Sequence, residues 1–495
     1  MKQLSWLVLV LTLAIPGFAI ASPGDVFEQL PGAASPVQVR LLTRNHDAFY
    51  ARWWVLDQAK STIDCTYFGA GTDIIGRAFL GKLLQKARQG VKIRLMVDAR
   101  GSLRLFNPIF HQDYLPALAT FPNVTVRVYN DLLANLKKLP GSIVDRIAAN
   151  HSKMVIVDRQ WIVAGGRNLQ LHWYTDPKDD PKSIRDADIL ARGASPADQA
   201  TRAFEDEFDG LRNAHLSGLD RQQFETVTAR LDLARQAMQG HMTGRPEAAL
   251  TALAAAGFDA AEDTVQTLRD EFELFRSMTN YDSFVPLAGA HTSPVVVLGK
   301  HSRVTTMDNA VTQMLMKMID AAEHEIVIAS AYMVLTERAR AALRNASLRG
   351  VKIRILTNSP QSSDSFMTQA WFVKEWKDYL RDIPNMRLFA IADKHKLHGK
   401  VFCFDGQVSV VGSYNLDPMS QDINAEDVAV MRSPEVTADL LAWYEQLIPH
   451  SLEYKIRVNP DGSVSQVTGP SDHCSRMMLW ILRVVGRMEF LRPVV

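Results

Sequence analysis

The chain has 495 residues, enough to bury one large core or several ordinary ones. Apolar residues make up 47% and charged residues 22%, which excludes a disordered or fibrous chain. The formal charge is +1 and no Lys/Arg block stands out, which argues against a dedicated nucleic-acid binder. The chain opens with Lys2, an apolar run from Leu4 to Ile15 and a small-x-small site at Ala19-Ile20-Ala21. Residues 1–21 therefore read as an export signal, with an uncleaved N-terminal anchor as the alternative. Either reading places the body of the protein outside the cytoplasm, in the periplasm or beyond.

Residues 22–213 read as a first α/β half. Val37 to Thr43 alternates, Asp47 to Lys60 is helical, and Thr62 to Phe68 is a strand. Thr72 is placed to cap a helix running to Gln89, with Ile75, Phe79, Leu83 and Ala87 on one stripe. Gly90 closes it before the strand Val91 to Val97. Residues 214–300 form an alanine-rich insert with helices expected over Leu219 to Gln239, Pro246 to Ala256 and Thr264 to Phe275. A spacer is the default reading for it, against a lid or a partner surface. Residues 301–450 repeat the first half: a helix over Met314 to Ala322, a strand over Glu325 to Ala331, a helix capped by Thr336, and a strand over Val351 to Leu356. The words Gly-Val-Lys-Ile-Arg at 90 and 350 mark the repeat. Strand–helix–strand units predict two halves, each a mostly parallel sheet flanked by helices. In residues 451–495, Leu452 to Val467 reads as a hairpin and Arg476 to Leu491 as an amphipathic helix. That helix suits either an anionic membrane surface or a packed terminus.

A second repeat carries the chemistry. His151-x-Lys153 leads through Asp158 to Gly165-Gly166-Arg167-Asn168, and His398-x-Lys400 leads through Asp405 to Gly412-Ser413-Tyr414-Asn415. The spacing is H-x-K-x4-D-x6-G-[GS]-x-N in both, within 145–172 and 392–419. Alternate residues of a strand share a face, so each histidine and its lysine reach one pocket. Glycine at 165, 166 and 412 suggests close backbone approach to a bound group, with Ser413 beside it. Asp158 and Asp405 follow their strands, where a carboxylate can hold the turn. Cys65, Cys403 and Cys474 allow at most one internal disulfide; the first two sit in apolar runs as buried small side chains. No Cys/His cluster has metal-ligand spacing, and no metal or other cofactor is expected.

These residues resemble the two-copy signature of the phospholipase D superfamily. The run Gly412-Ser413-Tyr414-Asn415-Leu416-Asp417-Pro418, with Ser420 and Asn424-Ala425-Glu426, is similar to its bacterial cardiolipin synthase and phosphatidyltransferase branch. Met419 departs from it, standing where this branch often carries an arginine, which bears on head-group or acceptor preference. The resemblance implies a phospholipid substrate, one site between the halves of a monomer, and water or an alcohol as acceptor. It suggests His151 as nucleophile and His398 as acid/base, a division that the symmetry of the sequence leaves open. Lys153, Lys400, Asn168 and Asn415 would surround the phosphate oxygens. A carboxylate is expected to orient each histidine, with Glu426 in the second half and Asp186 in the first. Arg167 is a further candidate for phosphate or head-group contact. The rivals are an exported metal-independent nuclease of the same superfamily and a non-catalytic lipid-binding envelope protein.

Overall fold

The computed structural model describes residues 21–32, 36–105, 113–131, 146–245, 261–302 and 309–494. The export-signal reading (but for Ala21) and the helix expected over Pro246 to Ala256 lie outside them. The first half is a nine-stranded sheet of β1 (Val37–Leu42), β2 (Thr62–Tyr67), β3 (Lys92–Asp98), β4 (Val124–Tyr129), β5 (Lys153–Val157), β6 (Trp161–Gly165), β7 (Asp188–Arg192), β8 (Ala214–His215) and β9 (His291–Ser293). Their order across the sheet is β8-β4-β3-β2-β5-β6-β7-β1-β9. The second sheet holds β10 (Val295–Lys300), β11 (Glu325–Ser330), β12 (Lys352–Asn358), β13 (Met386–Ile391), β14 (Lys400–Phe404), β15 (Val408–Gly412), β16 (Glu426–Arg432), β17 (Ser451–Val458) and β18 (Val464–Thr468). Its order is β10-β16-β15-β14-β11-β12-β13-β17-β18.

Both sheets are mixed rather than mostly parallel. Parallel pairing is confined to β2–β3–β4 and β11–β12–β13, where helical crossovers separate the strands. The signature strands β5–β6 and β14–β15 are joined by short turns, which permit only antiparallel pairing. Asp158 and Asp405 make those turns possible. Each has a left-handed backbone, at φ 50 and 52°. Each carboxylate accepts three successive backbone N–H groups at 2.8–2.9 Å, from residues 60–62 and 323–325 respectively. They tie the turn to the start of the neighbouring central strand, as their position after the strand suggested.

The helices in order are α1 (Pro23–Glu28), α2 (Asn45–Gln58), α3 (Ile74–Arg88), α4 (Tyr114–Ala119), α5 (Ala194–Phe208), α6 (Arg221–Met242), α7 (Ala261–Glu273), α8 (Ala310–Ala321), α9 (Glu337–Leu348), α10 (Phe366–Asp382), α11 (Pro434–Leu447) and α12 (Arg476–Val485). Thr336 caps α9 as expected, accepting from Ala339 N–H at 3.2 Å. The cap of α3 is Asp73 and not Thr72: its Oδ1 accepts from Gly76 N–H at 3.1 Å while Oδ2 accepts from Leu171 N–H at 2.9 Å. An aspartate that meets two orphan donors outcompetes the threonine beside it. The insert is packed, not a loose spacer. Leu231, Ala234 and Met238 of α6, with Leu268 and Phe272 of α7, join the core formed by α2, α3 and β2. The backbones of α3 and α6 come so close at Gly81 that a Cβ there would lie 2.2 Å from Leu231 O.

Two connections knit the halves together. The chain passes from β9, in the first sheet, directly to β10, in the second, at Pro294. Helix α1 precedes the first sheet in sequence yet buries Val26 and Phe27 in the core of the second. A further core is shared, with Met154, Ile156 and Phe204 from one half against Val401, Cys403 and Trp443 from the other. Cys65 and Cys403 are buried free thiols.

Beneath the first signature, fully buried Asp188 forms ion pairs with Arg52 at 2.9 Å and Arg167 at 3.1 Å, both also inaccessible to solvent. Asp188→Asn leaves two desolvated guanidiniums facing a neutral amide. The expected loss is about 3–5 kcal/mol of stability, read from urea denaturation; an unchanged midpoint would refute it.

Candidate functional site

The signature histidines stand where the halves meet. Backbone bonds hold each to the other half: His151 N–H donates to Ala425 O at 2.9 Å, and His398 N–H donates to Arg185 O at 2.7 Å. Ala425 N–H to Ala149 O and Arg185 N–H to Lys396 O complete two short parallel bridges. The next residue on each bridging segment is an acid. Glu426, in the second half, meets Nδ1 of His151 at 3.1 Å. Asp186, in the first half, meets Nδ1 of His398 at 2.8 Å. The carboxylates are therefore exchanged, each orienting the histidine of the opposite half.

Those contacts fix the tautomers. His151 Nδ1 faces two acceptors, Glu426 and Ser413 O, both at 3.1 Å, so it carries the hydrogen and Nε2 is left with its lone pair. Glu426 is itself held by the hydroxyls of Ser413 and Ser420. Asp186 accepts from Ala187 N–H at 2.8 Å and lies against Gly166, where a Cβ would sit 2.3 Å from its Oδ1. At His398 the Trp173 indole N–H points to the same Nδ1 from 3.4 Å, too far to displace the carboxylate.

Burial and charge set the protonation. Burial, reinforced by the Lys153 charge, pushes His151 down to about 4, so this imidazole is neutral at neutral pH. Burial and then Lys400 also lower His398, while Asp186 and Asp364 work in the opposite direction. Asp186 is pushed up by burial, but its bond from His398 and the charges of His398, Lys400 and Arg167 outweigh that and hold it at about 2. Burial brings Lys153 down to about 7 and Lys400 to about 8, each ammonium further depressing the other site or its own histidine. The reciprocal contacts His151–Glu426 and His398–Asp186, with the bridges beside them, bring both motifs to the same junction. Each lysine ammonium donates to the carbonyl of its own histidine, Lys153 to His151 O and Lys400 to His398 O. The lysines are thus not fixed charges by themselves; an anion beside them would keep them protonated.

Asn168 Oδ1 accepts Gly69 N–H at 3.1 Å, leaving its amide hydrogens to donate. Asn415 is buried, with its backbone N–H on Ser420 Oγ at 3.0 Å. The glycines do not open the backbone to a ligand. A Cβ at Gly165 would meet Asp188 Oδ1 at 2.1 Å, and one at Gly412 would meet Asp427 O at 2.2 Å, so both make room for the adjacent strand. Arg167 is corrected as well. Its guanidinium is inaccessible, pairs with Asp188 and donates to Leu42 O at 2.8 Å and Asp186 O at 2.7 Å. It holds the Asp186 segment from behind and reaches no ligand. Two aromatic walls were not anticipated: Phe68 stands edge-on to His151 at 5.2 Å, and Trp173 to His398 at 5.4 Å. The residue five after Asn415 is Ser420 where Trp173 follows Asn168, so the repeat gave no signal for it.

The family model described as "Cardiolipin synthase, PLD-like domain" matches residues 54–193 and 315–448. Cardiolipin synthase C of Escherichia coli (strain K12) is 27% identical over 425 residues, covering 81% of this chain and 82% of that protein. Cardiolipin synthase A of Proteus mirabilis is 23% identical over 408 residues, covering 81% of this chain and 67% of that protein. The crystal structure of phosphatidylserine synthase from Haemophilus influenzae Rd KW20 shares the fold, with a TM-score of 0.61 at 11% identity, over 96% of this chain and 100% of that one. The doubled His-x-Lys motif and the family match over both halves lead to one conclusion: the chain belongs to the cardiolipin synthase-like, PLD-like domain family of the phospholipase D superfamily and is an enzyme of that phosphatidyltransferase type.

Proposed function

We propose that the protein cleaves a glycerophospholipid through a phosphohistidine and passes the phosphatidyl group to an alcohol or water, cardiolipin formation included. The exchange of Glu426 and Asp186 between the two histidines carries this reading. His151 Nε2 attacks phosphorus and the P–O bond to the head group breaks as His398 gives its proton to the leaving oxygen. The acceptor hydroxyl then returns a proton to His398, its oxygen bonds to phosphorus, and the P–N bond to His151 breaks. Lys153, Lys400 and the two asparagine amides stabilise the charge of the five-coordinate state. The test is to incubate purified protein with phosphatidylglycerol or phosphatidylethanolamine and follow phosphatidate and cardiolipin. Folded protein that yields neither, while degrading plasmid DNA without added metal, would favour the nuclease.

The protonation states predict the pH dependence. Turnover needs His398, Lys153 and Lys400 protonated, and burial holds all three below their ordinary values. Protons absent at a given pH must be taken up with the substrate. Raising pH therefore lowers kcat/KM, by about tenfold per unit for each proton missing and most steeply above pH 8. His151 is neutral above about 4 and imposes no limit there. A kcat/KM profile that is flat from pH 6 to 9 would refute this assignment of charges.

We also propose that the exported protein works at a membrane surface through α12. One face of this helix packs Leu479 and Leu482 against Ala370, Trp371 and Val373. The other leaves Met477, Trp480 and, just beyond the helix, Phe490 at 73, 66 and 77% exposure, beside exposed Arg476, Arg483 and Arg487. Apolar side chains rimmed by cations suit an anionic lipid interface. No helix among the described residues is long and apolar enough to cross a membrane. Trp480→Glu combined with Phe490→Glu is expected to weaken co-sedimentation with phosphatidylglycerol vesicles about tenfold or more. Equal sedimentation of variant and wild type would sink the idea.

A further inference from the structure

Arg185 gives more than its backbone to the bridge at His398. Its guanidinium reaches across the junction to Asp393, just past the end of β13, and grips both carboxylate oxygens: Nη1 donates to Oδ1 at 3.0 Å and Nη2 to Oδ2 at 2.6 Å. Nη1 also donates to His395 O at 3.2 Å. A bidentate pair of this kind fixes orientation as well as distance. Asp393 is itself held in place, since its Oδ1 accepts His395 N–H at 2.9 Å and its Oδ2 lies 2.9 Å from His450 Nδ1. The backbone of Arg185 meanwhile bonds to Lys396 O and to His398 N–H. One residue of the first half thus holds the stretch 393–398 of the second half at both its ends.

The two bridges brace their acids differently. Glu426 is preceded by Ala425, which has no polar side chain to send across the junction, but the Glu426 carboxylate is gripped directly by the Ser413 and Ser420 hydroxyls. Among the described residues no hydroxyl meets Asp186; besides His398, its carboxylate takes only the N–H of Ala187, at 2.8 Å. The side chain of aspartate is short, so its carboxylate goes where the backbone puts it, and a small misplacement is enough to spoil a catalytic hydrogen bond. We propose that Arg185 and Asp393 form a clasp that positions Asp186 against His398, so that this pair governs the acid/base half of the reaction and leaves the nucleophilic half alone. The inference rests on the reading above that makes His398 the acid/base of a two-step transfer. Both are positioning residues, acting through Asp186 and not on the substrate.

The test is a double-mutant cycle of Arg185→Gln and Asp393→Asn in the full chain. It is read on phosphatidylglycerol turnover and on the nitrophenol burst from a phosphatidyl nitrophenol. The Asp393 side chain is 30% exposed, so its replacement should fold, which circular dichroism and thermal melting check. Each single variant is expected to lower kcat on phosphatidylglycerol by about tenfold or more without raising KM, and to keep the rate of the nitrophenol burst. The double variant should be no slower than the singles, since each substitution breaks the same pair. Asp393→Glu, which keeps the charge, should recover part of kcat. Burst and turnover falling together would reduce the clasp to general stability and overturn its role. Additive losses in the double variant, or a kcat equal to that of the wild type, would overturn it too. A wild type that forms no phosphatidyl-enzyme would overturn the two-step reading itself, and the clasp with it.

Discussion

His151→Ala is expected to lower kcat by about 10⁴-fold or more and to leave no covalent intermediate, because it removes the atom that would bond to phosphorus. His398→Ala is expected to differ in kind. With a leaving group as acidic as 4-nitrophenol, cleavage no longer needs a proton donor, so the first step should survive. The second step loses its base, and the phosphatidyl-enzyme should accumulate. Mass spectrometry of rapidly quenched His398→Ala protein should then find the adduct on the peptide that contains His151. An adduct on His398 in the His151→Ala protein, with none on His151 in the His398→Ala protein, would reverse the assignment. Circular dichroism of both variants checks that each chain still folds once the ring's contacts with Phe68, Glu426 and Ser413, or with Trp173 and Asp186, are gone.

Asp186→Asn and Glu426→Gln should each reduce turnover by about 10²–10⁴-fold, yet through different roles, the first by impairing the acid/base and the second by impairing the nucleophile. Asp186 carries the charge that counters burial at His398. Its neutral replacement leaves that imidazole harder to protonate, so release of ordinary head groups slows while the burst with a nitrophenyl substrate remains. Glu426 holds His151, so Glu426→Gln should diminish the burst itself. Each substitution thus damages the histidine of the other half. Stopped-flow release of nitrophenol separates the outcomes: equal bursts from the two variants would show that the carboxylates are not divided in this way.

The His-x-Lys strands, their turn aspartates and both orienting acids were legible in the sequence because they repeat at fixed offsets or stand in a recognisable run. The exchange of Glu426 and Asp186 was not. A one-dimensional pattern gives each acid a half, but which imidazole it faces depends on how the Ala425 and Arg185 segments cross the junction. Arg167 misled for a related reason. It adjoins Asn168, which suggested a ligand contact, whereas its partner Asp188 lies on a neighbouring strand and turns it inward. The antiparallel half of each sheet was hidden because the strand–helix–strand signal dominates the remaining residues. The insert looked like a spacer because its alanines and scattered leucines reveal a buried face only once α3 lies against it.

The bridges at Ala425 and Arg185 have a consequence for how such a molecule can be divided or can evolve. A fragment holding only one signature would possess an imidazole without its counter-ion and an acid without its base, so separately expressed fragments should be inert until they reassociate. For the same reason neither copy of the duplicated unit is free to drift alone. Any change that re-aims one ring has to be answered by an acid encoded in the other copy, which ties the two to a common fate long after the duplication that produced them.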